Sequence, residues 1–552
     1  MWEQHEEAVD VQMRTHIPVF TEDADREITS VPGGAYNFLL EGDNLHSLRL
    51  LEKTHKGRID VIYIDPPYNT GNKDFVYDDV FVDKTDLFSR SKWLSFMAIR
   101  LRLARNLLSD NGAIFISIDD NEEAPLRMLC DEIFGESCFV ANISWQRTYS
   151  IRNDSKGIPL EVEHILVFGK KENWQPGKLP RTEKMDAAYK NPDGDRCAWM
   201  SGSPIASDAK THQCMVYAIQ HPFTGELLYP TVTAHWRYSQ EQMLEYMSGW
   251  CEYELKDLND ATKRAEICGV SPDEVRTGIK GIVLKKSIEE SRKVAQIVYD
   301  NGPWPRFYFT NGGKGGVRRK VYADSVGGRI STNYWMYDEV GHTDEAKKEL
   351  KAVFDGAIPF DTPKPIRLLE RIISIASNDN STILDFFAGS GSTAHAIMKY
   401  NSEHDGSNRR FILCTNNEGG ICEGVTYKRI FNTVNGYGKE PGIPTNLKYY
   451  RTDFVSKDEE YLSDALMEHI SEMIQLEHGV KLDGQNYIMI LDDDEADALA
   501  AHWDEYSAVK ALYVSKNILF TTEQNMMFRD MEIHIIPDYY FNFELREVGE
   551  TW

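Results

Sequence analysis

Residues 382–400, TILDFFAGSGSTAHAIMKY, put a short apolar strand, a glycine-rich turn and a helix in direct succession. A strand running straight through a glycine-rich turn into a helix belongs to the strand and helix alternation of a parallel sheet wrapped by helices. Gly389 and Gly391 allow backbone to approach a ligand closely at the strand end, where open parallel sheets hold small molecules. The spacing is GxG with no third glycine, which favours a small adenosine compound over a dinucleotide; a tight turn that merely packs helix on sheet is the alternative. Asp385 closes the strand, and Glu418 ends the next one, RRFILCTNNE, where an acid can take two ribose hydroxyls.

A second strand end, VIYIDPPYNTGN at residues 61–72, raises a different chemistry. Two prolines donate no backbone hydrogen bond and hold the chain stiff. An amino group on an aromatic ring is a poor nucleophile, because its lone pair is delocalised. The Asp65 carboxylate and the Pro66 carbonyl can each accept one of its N–H bonds and release that lone pair, a preorganised arrangement stiffened by Pro67. Tyr68 offers a flat face on which an extruded base can stack.

Around these two points the chain alternates strand and helix. NFLLEGDNLHSLRLLE reads as strand, turn and helix, WLSFMAIRLRLARNLL as an amphipathic helix stopped by SDNG, and GAIFISID as another buried strand. The rhythm is lost from residue 145 and resumes near residue 361. After residue 448, YIMIL, KALYVS and MEIHIIP read as three strands of a small separate α/β domain.

The net charge of −26 argues at first against a polyanionic partner, but it is unevenly spread. Residues 451–552 hold 7 basic and 23 acidic side chains, a net of −16, whereas residues 145–340 hold 27 basic and 25 acidic ones. Within that middle stretch residues 301–330 carry six Lys or Arg and one Asp, so Lys314, Arg318, Arg319, Lys320 and Arg329 are candidates to grip nucleic-acid phosphates; a solvated loop is the alternative. Eight cysteines without a CxxC pair fit free thiols in a reducing compartment, and the acidic start lacks an apolar signal region, so a cytoplasmic location away from membranes is expected. No GxxxxGK[ST] loop and no nuclease carboxylate cluster stands in the sequence, so neither translocation nor cutting of DNA is expected of this chain alone.

The two motifs together resemble those of amino-group DNA methyltransferases. DPPY precedes DFFAGSG by some 300 residues, which is similar to the circularly permuted β-class order. More closely, LLEGDNLHSLRLLEKTHKGRIDVIYIDPPYNTGNKDFVYDD, IFISIDDNE, EHILVFGK, FDTPKP and ILDFFAGSGSTAHA resemble the modification (Mod) subunit of type III restriction-modification systems. The resemblance implies a Rossmann-like α/β class I methyltransferase fold with S-adenosylmethionine as methyl donor and no metal. It implies double-stranded DNA as substrate, a homodimer, and an ATP-dependent helicase-nuclease (Res) partner for restriction.

It also assigns residues. Asp65, Pro66, Pro67 and Tyr68 match the catalytic motif, with Asp at its head favouring adenine N6 over cytosine N4. Asp385, Phe387, Gly389, Ser390 and Gly391 match the donor-binding turn. Lys364 matches a lysine that meets the donor's methionine carboxylate, Asp43 lies toward its adenine, and Glu418 matches the ribose acid. Asn69 and Thr70 support the base pocket. The domains expected are an arm at 1–32, a catalytic half at 33–144, a target-recognition insertion at 145–355, a donor-binding half at 356–447 and an acidic α/β protein-contact or dimerisation domain at 448–552. A solitary adenine methyltransferase and an N4-cytosine enzyme are the alternatives.

Overall fold

The apolar strands align as the alternation predicts. In the computed structural model, which describes residues 7–69, 89–149, 158–537 and 540–549, ten strands form one sheet. They are β1 (His16–Glu22), β2 (Tyr36–Glu41), β3 (Ile59–Ile64), β4 (Leu108–Ile118), β5 (Phe139–Gln146), β6 (Val162–Gly169), β7 (Tyr334–Trp335), β8 (Thr382–Asp385), β9 (Arg410–Thr415) and β10 (Asn446–Ser456). Their order across the sheet is β1-β10-β2-β9-β8-β3-β4-β6-β5-β7. The run from β10 to β4 is parallel throughout, while β1, and β6 with its two neighbours β4 and β5, pair antiparallel.

The sheet reverses its winding between β8 and β3, which lie side by side with Ile383 opposite Val61. From β8 the chain passes through the helix Ser392–Glu403 to β9 on one side, and from β3 it passes on to the helix Ser89–Leu107 and to β4 on the other. The two connections part company at the carboxyl ends of these strands and leave a crevice there. Ile62, Ile64, Ile114, Ile116, Leu384 and Ile412 are fully or almost fully buried, each worth roughly 1.5–3 kcal/mol on the usual scale of apolar burial. The helix Ile366–Ala376 buries Leu368, Leu369, Ile372 and Ile373 on one stripe and is entered through Pro365, so the segment before it is held at the crevice.

The chain divides into two compact units, Met1–Gly177 with Ile330–Trp552, and Lys178–Arg329. Three boundaries therefore differ from the sequence expectation. Residues 16–22, read as part of an arm, form β1 because four consecutive residues, Ile17 to Phe20, are buried against β10. The irregular stretch from 145 begins with β5 and β6, which extend the large sheet, so the second unit is shorter than the expected insertion. The acidic end is not a separate body either. Its strands Tyr487–Ile490, Ala511–Ser515 and Glu532–Ile536 do form a parallel sheet, but Tyr513, Ile536 and Tyr540 belong to the core of the larger unit. The SDNG stop lies inside β4, which starts directly after the helix ends at Leu107.

The unit Lys178–Arg329 is built from short strands around an aromatic core of Trp199, Tyr217, Trp236, Trp250, Phe307 and Phe309. Among the described residues no helix is long and apolar enough to cross a membrane.

Candidate active site

The crevice between β8 and β3 opens into a cavity of about 720 Å³. Asp65, Pro66, Pro67, Tyr68 and Asn69 line one end and Asp385, Phe387, Gly389, Ser390 and Glu418 the other, with Lys364 among them. Residues from both motifs, some 300 positions apart, thus share one wall-to-wall site.

At the β3 end, the Trp93 indole donates to the Pro67 carbonyl at 2.7 Å and fixes the turn. Asn69 sits at φ 54° and donates to Glu122 at 2.7 Å, so it holds the turn's far side. Thr70 lies outside the described residues. Asp65 Oδ1 accepts from the Tyr68 hydroxyl at 2.7 Å and from Lys364 Nζ at 2.8 Å. Lys364 also donates to the Tyr68 oxygen at 2.8 Å, and its ammonium lies 5.1 Å from the centre of the Tyr68 ring. A second carboxylate completes the group: Glu163 on β6 has Oε2 3.5 Å from Lys364 Nζ, while its Oε1 pairs with Arg147 Nη1.

Burial pushes the Asp65 carboxyl above its ordinary range despite the Lys364 ammonium beside it. Burial acts on Glu163 in the same sense, but there Lys364 and Arg147 together outweigh it and hold the group below its ordinary range. Lys364 is stabilised as a cation: burial works against its charge, and the two carboxylates overcome it.

At the β8 end, Asp385 is buried and its carboxyl is pushed up to about 7, chiefly by desolvation. It accepts from Phe387 N at 3.0 Å and from Thr393 Oγ1 at 2.5 Å, which ties the strand end to the following helix. Gly389 (φ 49°) and Gly391 (φ 73°) take a left-handed conformation, and a Cβ on Gly389 would stand 3.2 Å from the Phe360 ring. The turn is clamped from behind. Thr426 Oγ1 donates to the Gly389 carbonyl at 2.6 Å, and the buried Arg429 donates to Ser392 Oγ at 2.7 Å and to the Ser390 carbonyl at 3.3 Å. A π-helical segment, Cys422–Tyr427, precedes Arg429 and sets Val425 toward the cavity while Thr426 reaches the turn.

Two expectations change. Asp43 is not among the described residues that line the cavity. It caps the helix Asn44–His55 through Leu45 N at 2.7 Å and pairs with the buried Arg100 at 3.2 Å; neighbouring Asn44 then donates to the Phe386 carbonyl at 2.8 Å, so this group supports the turn from behind. Lys320, expected to grip phosphate, is buried, with its ammonium taken by Asp193, Asp195 and the Trp304 carbonyl. Arg318 lies two residues before Lys320 on the same strand face, so local packing and not alternation separates them: the Lys320 ammonium is enclosed by its acceptors while Arg318 and the preceding Lys314 are exposed. Arg319 and Arg329 are half-buried. Sequence reasoning assigned no role to Glu163, Arg147, Thr426 or Arg429; EHILVF displayed Glu163 before a buried strand run, the only local signal among them.

The family described as DNA methylase, of the N6/N4 type, matches residues 59–423. The StyLTI Mod subunit of a type III restriction-modification enzyme from Salmonella typhimurium is 33% identical across 77% of this chain and 59% of that protein. The type II methyltransferase M.KpnI from Klebsiella pneumoniae is 31% identical across 71% of this chain and 84% of its own length. The EcoP15I Mod subunit from Escherichia coli is 28% identical across 77% and 67% respectively. The chain thus spans somewhat over half of the Salmonella relative and most of M.KpnI. With the matched residues covering β3 through β9 and all the residues that line the cavity except Val425, this chain belongs to the N6/N4 DNA methylase family.

Proposed function

We propose that this protein transfers a methyl group from S-adenosylmethionine to the N6 amino group of adenine in DNA, as the modification subunit of a type III restriction-modification system. The observation that carries the proposal is the single cavity shared by the Asp65–Tyr68 turn and the Asp385–Gly391 turn. The donor fits the residues present: a left-handed glycine turn that a Cβ would crowd, a buried carboxylate behind it, and an acid at the next strand end. Bound there, it supplies a methyl group already activated by the positive sulfur.

The chain's own residues then do the rest. Asp65 and the Pro66 carbonyl accept the two N–H bonds of the target amino group and free its lone pair for in-line attack. As the nitrogen–methyl bond forms the methyl–sulfur bond breaks, the sulfur leaves as a neutral thioether, and one amino proton is lost through Asp65 or to water. Tyr68 stacks against the extruded base, and the walls fix donor and acceptor in line, an alignment worth several kcal/mol. Phosphate grip falls to Lys314, Arg318, Arg319 and Arg329 in this reading, with Lys320 removed from the set. A homodimer and a separate helicase-nuclease partner belong to the proposal through the Mod relatives. The solitary enzyme without a restriction partner is the second reading; M.KpnI, a type II methyltransferase of which this chain covers 84%, supports only that the match is not confined to type III subunits.

Digestion of DNA methylated by the purified protein, followed by mass analysis of the nucleosides, tests the base. N6-methyladenine is expected; N4-methylcytosine, or no methylated nucleoside, contradicts the assignment. Co-purification from its native cells with an ATP-dependent nuclease separates the type III reading from the solitary one.

A further inference from the structure

Glu163 stands in the cavity with no role in the chemistry described so far. Its side chain is almost fully buried on β6, and one of its oxygens is fixed by Arg147. The other oxygen faces Lys364 Nζ at 3.5 Å and the Tyr68 hydroxyl at 3.4 Å. Lys364 is therefore one ammonium between two carboxylates, and at present it is bonded to Asp65.

That position conflicts with the work expected of Asp65. A carboxylate oxygen has two lone pairs, and Asp65 Oδ1 already takes donors from Tyr68 and Lys364. An incoming amino group must displace one of them. Tyr68 is tied to the same turn, three residues on. Lys364 has a rotatable stem and a second acceptor within a short swing of the ~2.8 Å length of a charge-assisted hydrogen bond. An amino group received instead at Oδ2 meets a carboxylate whose electron density the ammonium still draws to the other oxygen.

We propose that Glu163 is a positioning residue that competes with Asp65 for the Lys364 ammonium and so keeps Asp65 available to the target amino group. This rests on the methyl-transfer reading with Asp65 as acceptor. Arg147 has a defined part in it: by holding one Glu163 oxygen it keeps the side chain charged and turned toward Lys364. Without Glu163 the ammonium has no competing partner and stays on Asp65. The titratable groups that face the pair are Tyr63, Tyr68, Asp119, Arg147, Lys364 and Asp385.

The test is single-turnover methyl transfer to DNA by the full chain, measured across pH. Glu163→Gln is expected to lower the plateau rate about tenfold or more while donor affinity stays within about threefold. It removes a negative neighbour from Asp65, so the acid limb of the profile moves to lower pH; a merely structural defect lowers the plateau and leaves the limb in place. In a Lys364→Met background, at donor concentrations that saturate both variants, the same change is expected to add less than about twofold, because its route of action is gone. Glu163→Asp keeps the charge with a shorter reach and serves if the glutamine variant does not fold; an intermediate rate and smaller shift are expected. A wild-type rate and limb in Glu163→Gln, or full additivity with Lys364→Met, overturns the inference while leaving the methyl-transfer reading intact. Undiminished transfer by Asp65→Asn overturns that reading itself.

Discussion

Lys364 Nζ lies 2.8 Å from Asp65 Oδ1, although 299 residues separate the two in sequence. The contact joins the segment before the helix Ile366–Ala376 to the end of β3, across the point where the sheet reverses its winding. A cation there lowers the proton affinity of Asp65 against the burial that raises it.

Lys364→Met therefore leaves Asp65 without its cation, beside a Glu163 that keeps only Arg147. The acid limb of the single-turnover rate is expected at higher pH than in the wild type, the opposite direction from Glu163→Gln. An unchanged limb, read from rates across the pH range, shows that the ammonium does not govern Asp65.

Asp385 gives a stability effect of defined sign. Its folded-state carboxyl is raised to about 7 from the ordinary 3.8, so the folded protein holds a proton that the unfolded chain has already lost. The stabilisation is complete below about pH 4 and is lost as pH rises through about 7. Asp385→Asn cannot titrate, so its unfolding free energy is expected to fall less than the wild type's over that window, by roughly a few kcal/mol at most. Parallel curves for the two proteins contradict the assignment.

Arg429 holds the glycine-rich turn through Ser390 and Ser392 from a fully buried position. Arg429→Met removes those charge-assisted bonds and is expected to cost about 2–4 kcal/mol by urea unfolding. Donor affinity by calorimetry is expected to fall about tenfold, as the turn loosens by a little over 1 kcal/mol.

Much of the architecture was legible because β3, β8 and β9 are apolar on both faces and end in turn chemistry, which leaves few folds open. The site's two poles, Asp65–Tyr68 and Asp385–Gly391, were legible for the same reason: each breaks its strand with residues a plain turn does not need. Glu163 and Arg429 were not, since a single charged residue in a strand or helix gains meaning only when a distant partner comes within 4 Å. The acidic tail misled because composition reports charge but not packing; Tyr513, Ile536 and Tyr540 join the main core despite their acidic neighbours. The GDN that follows β2 also suits a helix cap, and Asp43 does cap the helix Asn44–His55.

Lys320 and Arg318 separate structure from DNA grip on one strand. Lys320→Met strands the enclosed Asp193 carboxylate and the partly buried Asp195 without their cation and is expected to destabilise the unit Lys178–Arg329 by about 3–5 kcal/mol. Arg318→Ala is expected to leave stability within about 0.5 kcal/mol, as exposed changes do. It should also reduce the slope of log affinity for DNA against log salt by about 0.9, the loss of one phosphate contact. Equal stability of the two variants contradicts the buried assignment of Lys320.

In the proposed reaction Asp65 accepts the target amino group and is not needed to hold the methyl donor. Single-turnover transfer of tritiated methyl from S-adenosylmethionine to DNA by Asp65→Asn, alongside calorimetric donor binding, tests it most directly. A rate reduced by about a thousandfold or more is expected, with donor affinity within about threefold of wild type. Methyl transfer at the wild-type rate contradicts it.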